Sequence, residues 1–217
     1  MFEYIEFQRI EGTSYKGDVK LFGLSTCAFC KRAITFLEEN NVKYNLVFMD
    51  KIDPELKKRA KDEFQLKFKE RMSLPSIVVN ESDYQIGFIR VAWERMFSVK
   101  NKGKILSVEG SYTFESKESK FVNATAKHRQ WFINPDRSFR EKLEDGLTVN
   151  LERYGFYHCP CRDTDGGQEN KDIACPCRYA ENDIKEWGQC FCGLYVSKEF
   201  YNNRVELGSI PDRRKSV

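Results

Sequence analysis

Six of the eight cysteines fall between Cys159 and Cys192 in three pairs of identical spacing: Cys159-Pro160-Cys161, Cys175-Pro176-Cys177 and Cys190-Phe191-Cys192. A single centre that takes four thiolates, whether one zinc ion or one iron-sulfur cubane, leaves two thiols over, and the paired spacing keeps those two beside the metal. A metal with an adjacent dithiol is a redox site. Structural zinc usually draws its thiolates from knuckles with two to four intervening residues. Here each pair has one, and zinc does not change oxidation state, so the spacing favours iron. A two-zinc module sharing all six thiolates and a disulfide framework are the other readings. The second suits the chain less, because MFEYIEFQRIEGTSYKG lacks the basic-then-apolar form of a signal peptide and a reducing cytosol does not keep three bridges closed.

The two remaining cysteines stand in Cys27-Ala28-Phe29-Cys30. Val19 to Gly23 reads as a buried strand ended by glycine, and Ile34, Phe36 and Leu37 recur at helical spacing behind the motif. A Cys-x-x-Cys at a strand-to-helix junction is a redox signature in a cytosolic setting. The helix N-terminus presents free N–H groups and partial positive charge, which stabilise a Cys27 thiolate as the attacking sulfur. Cys30, one turn inside the helix, is then placed to resolve the mixed disulfide. Half of a zinc site is the other reading, but no second ligand pair accompanies it in this part of the chain.

With NPDRSFREKLEDGLTVNLERYG before them and CFCGLYVSKEF and GSIPDRR after them, the three pairs make residues 123–217 resemble the catalytic subunit of ferredoxin:thioredoxin reductase. That resemblance implies a [4Fe-4S] cluster held by Cys159, Cys175, Cys177 and Cys190. It also implies a redox-active disulfide between Cys161, the thiol that attacks the partner, and Cys192, the thiol that stays against the cluster. Such an arrangement reconciles a ferredoxin, which delivers one electron at a time, with a disulfide, which takes two. The plant-type family has a histidine between the cysteines of the third pair, where this chain has Phe191. His158, beside Cys159, is the candidate substitute in handling protons; the plainer reading is a histidine that packs.

The elements around Cys27 follow a thioredoxin-like order. Val42 to Phe48 is expected as a second strand parallel to the first, followed by a charged helix from Asp53 to Phe68, a strand ending in Ile77-Val78-Val79, a strand near Tyr84 to Phe88, and a helix from Arg90 to Phe97. A weak alternation over residues 4–10 suggests an extra strand. Residues 17–98 thereby resemble glutaredoxin and its small redoxin relatives, with Cys27 and Cys30 at the family's catalytic positions and Pro75 at its cis-proline. Glutaredoxins that use glutathione commonly carry a lysine three residues before the first cysteine and a Gly-Gly-acidic turn. Leu24 and Gly87-Phe88-Ile89 stand there instead, so electrons are expected from another source.

Residues 99–122, rich in Lys, Ser, Glu and Gly, read as a linker with one alternating stretch from Ile105 to Phe114. A helical pattern starts near Ala124 with Trp131 and Phe132 on one face, and Asn134-Pro135-Asp136 signals the start of the next helix. Phe139, Leu143, Leu147 and Leu151 form its core stripe. The Asp163 to Lys171 loop, with Gly166-Gly167, lacks the strand and helix context of a phosphate cradle and reads as a surface turn. Tyr195 and Phe200 are expected to pack over the C-terminal core. Arg162, Arg178, Arg213 and Arg214 are candidates to steer an acidic ferredoxin, or else a solvated basic end.

At 217 residues the chain suits two domains. A net charge of +3 gives no case for nucleic acid, and no apolar run approaches the roughly 18 residues of a membrane span. The expected fold is an α/β thioredoxin-like N-terminal domain plus a mostly α-helical iron-sulfur C-terminal domain, in the cytoplasm. The expected function is ferredoxin-dependent disulfide reduction: from reduced ferredoxin to the cluster, to Cys161 and Cys192, to Cys27 and Cys30, and on to thioredoxin-like or other protein disulfides, or small disulfides. A zinc-stabilised binding module and a non-catalytic iron-sulfur sensor are the alternatives from other classes.

Overall fold

Val19–Gly23 (β2) forms the middle of a five-stranded sheet because Val19, Leu21 and Phe22 have no access to solvent and need neighbours on both sides. In the computed structural model, which describes residues 1–15, 17–99, 116–164, 168–203 and 206–214, the strand order is β1-β3-β2-β4-β5. The sequence elements are β1 (Gln8–Ile10), β2, α1 (Ala28–Glu39), β3 (Tyr44–Phe48), α2 (Pro54–Phe68), β4 (Ser76–Val79), β5 (Asp83–Ile86) and α3 (Arg90–Met96). The strand β3 lies parallel to β2, as the spacing through a helical crossover requires, and β4 and β5 continue antiparallel. The extra strand suggested for residues 4–10 is β1, an antiparallel edge on β3.

Helix α1 buries Ala33, Phe36 and Leu37 against Leu21, Leu46 and Ile77 of the sheet, and Trp93 of α3 closes the same core. The Trp93 indole does not enter unpartnered: its Nε1 donates to the Gly87 carbonyl at 3.2 Å. Helix α2 starts where its first residues dictate. The Asp53 carboxylate accepts from the Glu55 and Leu56 N–H groups, and Pro54 needs no partner for a missing donor. These elements form a thioredoxin-like α/β fold.

The elements from Lys117 onward form a second compact unit, which is mostly helical. It comprises α4 (Lys117–Arg129), β6 (Phe132–Ile133), α5 (Arg137–Tyr154), a 3-10 segment (Gln168–Ile173), α6 (Ala180–Trp187), β7 (Tyr195–Val196) and α7 (Lys198–Asn203). The sequence pattern misses the ends of α4. The helix starts at Lys117 rather than near Ala124, because the Ser116 hydroxyl accepts from the Ser119 N–H. It stops at Gln130, whose φ of 57° is left-handed, so Trp131 and Phe132 lie beyond it and Phe132 pairs with Val196 in β6–β7. The alternating stretch at 105–114 lies outside the described residues.

Helix α5 begins as its Asn-Pro-Asp signal predicts. Asn134 Oδ1 accepts from the Asp136 N–H, and Asp136 accepts from the Phe139 N–H. Phe139, Leu143 and Leu147 form its buried stripe, with Leu151 at the margin. Among the described residues no helix is long and apolar enough to cross a membrane.

Candidate active site

The first and second cysteine pairs are joined by backbone pairing. An isolated antiparallel bridge links His158 to Ala174, so the Cys159 N–H donates to the Ile173 carbonyl at 2.8 Å and the Cys175 N–H to the Tyr157 carbonyl at 2.7 Å. The third pair occupies a tight turn. There the Gly193 N–H donates to the Cys190 carbonyl and the Cys190 N–H to the Tyr195 carbonyl. Gly193 is required at φ 73°, and an added Cβ would lie 3.0 Å from Leu207. Asn134 has a second task besides starting α5: its buried amide donates to the Gly193 carbonyl at 2.8 Å. Gly146 lets the first pair approach α5, since a Cβ there would come within 2.8 Å of the Pro160 ring.

These constraints bring Cys159, Cys175, Cys177, Cys190 and Cys192 around one small pocket, lined also by Pro176, Ala180, Phe191 and Tyr195. Cys161 is buried on the same turn as Cys159 but does not line that space. Cys190 Sγ and Cys192 Sγ are 3.7 Å apart.

The sulfurs influence one another's protons. Hydrogen bonds with Cys177 and Cys192 hold the Cys159 thiol well below its ordinary range, with further help from the Arg162 charge. Burial pushes Cys175 and Cys161 up. At Cys190 burial opposes ionisation, but hydrogen bonds from Cys192 and from the Tyr195 backbone outweigh it and the net shift is downward. A thiolate at Cys159 repels one at Cys190. Among the described residues no three His, Cys, Asp or Glu side chains form a single-ion group. Five cysteine sulfurs around one pocket are a donor set of the chemical type that iron-sulfur centres take.

Arg162 and Arg214 are not surface steering charges. The Arg162 side chain has no solvent exposure; it pairs with Asp183 at 3.1 Å and with Asp212, hydrogen-bonds the Cys177 sulfur, and lies over the Phe191 ring at 4.2 Å. Arg214 pairs with Asp172 at 2.9 Å, donates to the Asp163 carbonyl and binds the Asn170 side chain. Arg213 pairs with Asp183 at 2.8 Å and with Glu186, while Arg178 remains exposed. The loop after Asp163 is accordingly more than a surface turn, because Asn170 is buried under Arg214. Residues 165–167, with Gly166-Gly167, lie outside the described residues.

His158 takes the packing role. Its ring meets Tyr154 and Phe156 at centroid distances of 4.9 and 4.2 Å, is fully buried, and neither ring nitrogen has a hydrogen-bond partner among the described residues. Burial, with the nearby Arg214 charge, pushes its pKa down and keeps it neutral.

Earlier in the chain, Cys27 immediately precedes α1 and Cys30 lies in its first turn, with the Leu24 N–H donating to Cys30 Sγ at 3.3 Å. The Leu74–Pro75 peptide is cis, as the redoxin resemblance expects. Asp50, just past β3, accepts from the Ser25 N–H at 2.8 Å and from the Ser25 hydroxyl, fixing the approach to the motif. Sequence reasoning missed Asp50. A carboxylate just past the C-terminal end of a parallel strand, where α/β sites gather, is the available signal.

Comparison with known proteins agrees region by region. Residues 110–210 match the family model for the ferredoxin thioredoxin reductase catalytic beta chain, and residues 19–83 match the glutaredoxin model. The ferredoxin-thioredoxin reductase catalytic chain of Guillardia theta is 29% identical over 85 residues, covering 37% of this chain and 78% of the relative. Among solved structures, the Methanosarcina mazei Go1 glutaredoxin is 23% identical, with a TM-score of 0.37 over 42% of this chain and 86% of that one. The Methanosarcina acetivorans methanoredoxin is 26% identical, with a TM-score of 0.35 over 37% and 84%. The chain is thus similar to glutaredoxins on its N-terminal side and to ferredoxin-thioredoxin reductase catalytic chains on its C-terminal side.

Proposed function

We propose that the protein is a disulfide reductase that draws electrons from a ferredoxin and delivers them, through two successive dithiols, to protein or small-molecule disulfides. The two matched families support the disulfide-reductase role. The observation that carries the finer reading is the pocket itself, lined by Cys159, Cys175, Cys177, Cys190 and Cys192. In this reading Cys159, Cys175, Cys177 and Cys190 hold a [4Fe-4S] cluster, which when bound supplies one-electron relay between a ferredoxin and a two-electron dithiol.

The remaining chemistry belongs to the chain's own sulfurs. Reduction of the Cys161–Cys192 disulfide consumes two electrons and two protons and leaves two thiols. Cys161, as thiolate, attacks the Cys27–Cys30 disulfide; Cys192 then displaces the mixed disulfide, regenerating the Cys161–Cys192 bond and releasing reduced Cys27 and Cys30. Cys27 attacks the target disulfide in turn and Cys30 resolves it, with the Leu24 N–H and the Asp50-bound Ser25 holding the motif's approach. Pro75 borders the same motif in the redoxin reading. The residues from domain boundary to domain boundary are taken as 17–98 and 123–217.

An anaerobic assay with reduced ferredoxin as sole donor and a model disulfide as acceptor tests this. Steady thiol release is expected, with iron present in the protein. A colourless protein that carries zinc, or one that binds iron without turnover, would overturn the reading.

A further inference from the structure

Tyr195 touches two of the four cysteines assigned as ligands, and they come from different loops. Its backbone N–H donates to Cys190 Sγ at 3.3 Å, and its hydroxyl accepts from the Cys175 thiol at 4.0 Å. The ring is fully buried in the wall of the pocket, against Trp131 at a centroid distance of 5.6 Å. Thr125 of α4, half-buried, hydrogen-bonds the same hydroxyl. A phenol at this position needs a donor and an acceptor to be satisfied when buried.

We propose that Tyr195 raises the electron affinity of the cysteine-bound centre by donating its phenol proton to the Cys175 sulfur while its backbone N–H donates to the Cys190 sulfur. This rests on the reading of the pocket as an iron-sulfur site. With Cys175 as a thiolate, the sulfur has no proton to give, so the phenol must be the donor of that contact. The Thr125 hydroxyl then donates to the phenol oxygen, so each group is satisfied in one direction. A full charge on sulfur draws the donor closer than a neutral thiol does. Hydrogen bonds to ligand sulfurs disperse the charge that an added electron brings, and so stabilise the reduced state. Tyr195 is a positioning residue in this scheme and takes no part in thiol exchange.

The test compares the full-length protein with Tyr195→Phe, which keeps the ring and the backbone N–H and removes one donor. Iron content and the one-electron midpoint are measured anaerobically by spectroelectrochemical titration. Equal iron is expected, with a more negative midpoint in the variant. At fixed potential the reduced-to-oxidised ratio should fall by about two- to tenfold, the net value of one hydrogen bond; tenfold is about 59 mV for a one-electron couple. Equal midpoints at equal iron would overturn the inference and leave the proposed function standing, whereas an iron-free wild type would overturn both. Thr125→Val keeps the phenol and serves if Tyr195→Phe loses its iron. A smaller shift in the same direction supports the scheme, while no shift, or one exceeding that of Tyr195→Phe, overturns it.

Discussion

The two dithiol regions are built in opposite ways. Cys27 and Cys30 sit within four residues of one strand-to-helix turn, and their supports, Leu24, Ser25 and Asp50, come from the ends of adjacent parallel strands. The C-terminal pocket collects its sulfurs from three separate turns. They are held by a bridge at His158 and Ala174, by Asn134 reaching Gly193, and by three arginines that tie residues 212–214 to the interior. A local site loses little when one support is cut. An assembled site depends on all of them together, as buried charge networks do.

The largest effects should divide the two regions by chemistry. Serine at Cys159, Cys175, Cys177 or Cys190 is expected to lower iron content and cut ferredoxin-dependent reduction by at least about 100-fold. Cys161→Ser should abolish turnover while retaining iron, and Cys27→Ser should stop only delivery to the downstream target. Iron analysis beside the anaerobic assay separates these patterns. A Cys161→Ser protein that loses its iron would put that sulfur among the ligands.

Next in size is Arg162→Met. It leaves Asp183 buried with one cation fewer, and removing one partner of a buried pair costs about 3–5 kcal/mol. Urea unfolding should show this loss in the C-terminal transition alone, measured by probes in that unit. Asp50→Asn should act only on the other region. It exchanges charge-assisted bonds to Ser25 for neutral ones, at about 1 kcal/mol, read as faster amide exchange around Ser25.

Smaller still is the acid limb. Burial opposes ionisation of Asp172, but its bonds to Tyr179 and Arg214 outweigh that and lower its pKa. A carboxyl depressed in the fold contributes stability above its unfolded value of about 3.9, and that contribution fades as pH falls through the lower folded value. Asp172→Asn should therefore destabilise the C-terminal unit at neutral pH and narrow the gap below pH 4. His158→Leu should be close to neutral or mildly stabilising in the same melts, because it removes two ring nitrogens that have no partner among the described residues.

The local region was the more legible in sequence. The strand before Cys27, the helix after it, the cap at Asp53 and the cis peptide before Pro75 all announce themselves within a few residues. The cysteine pairs were equally plain, and α5 declares its start through Asn134 and Asp136. What a linear pattern could not convey was the fate of charges distant in sequence. Arg162 and Arg214 look like surface residues until Asp183, Asp212 and Asp172 meet them in three dimensions. His158 beside a cysteine suggested chemistry, yet aromatic residues four before and two before it claim its ring. Helix α4 has a low apolar content, so only its serine cap and left-handed Gln130 mark its limits.

Asp212, Arg213 and Arg214 give the far end of the described chain an unusual stake in the interior. Residues near a terminus are ordinarily where an experimenter trims or appends with impunity. Here a cut after Gly208 would remove Asp212, one of the two carboxylates paired with Arg162, and Arg214, the partner of Asp172. Handling of this end, whether by an affinity tag or by stray proteolysis, is therefore a direct intervention on the cysteine centre.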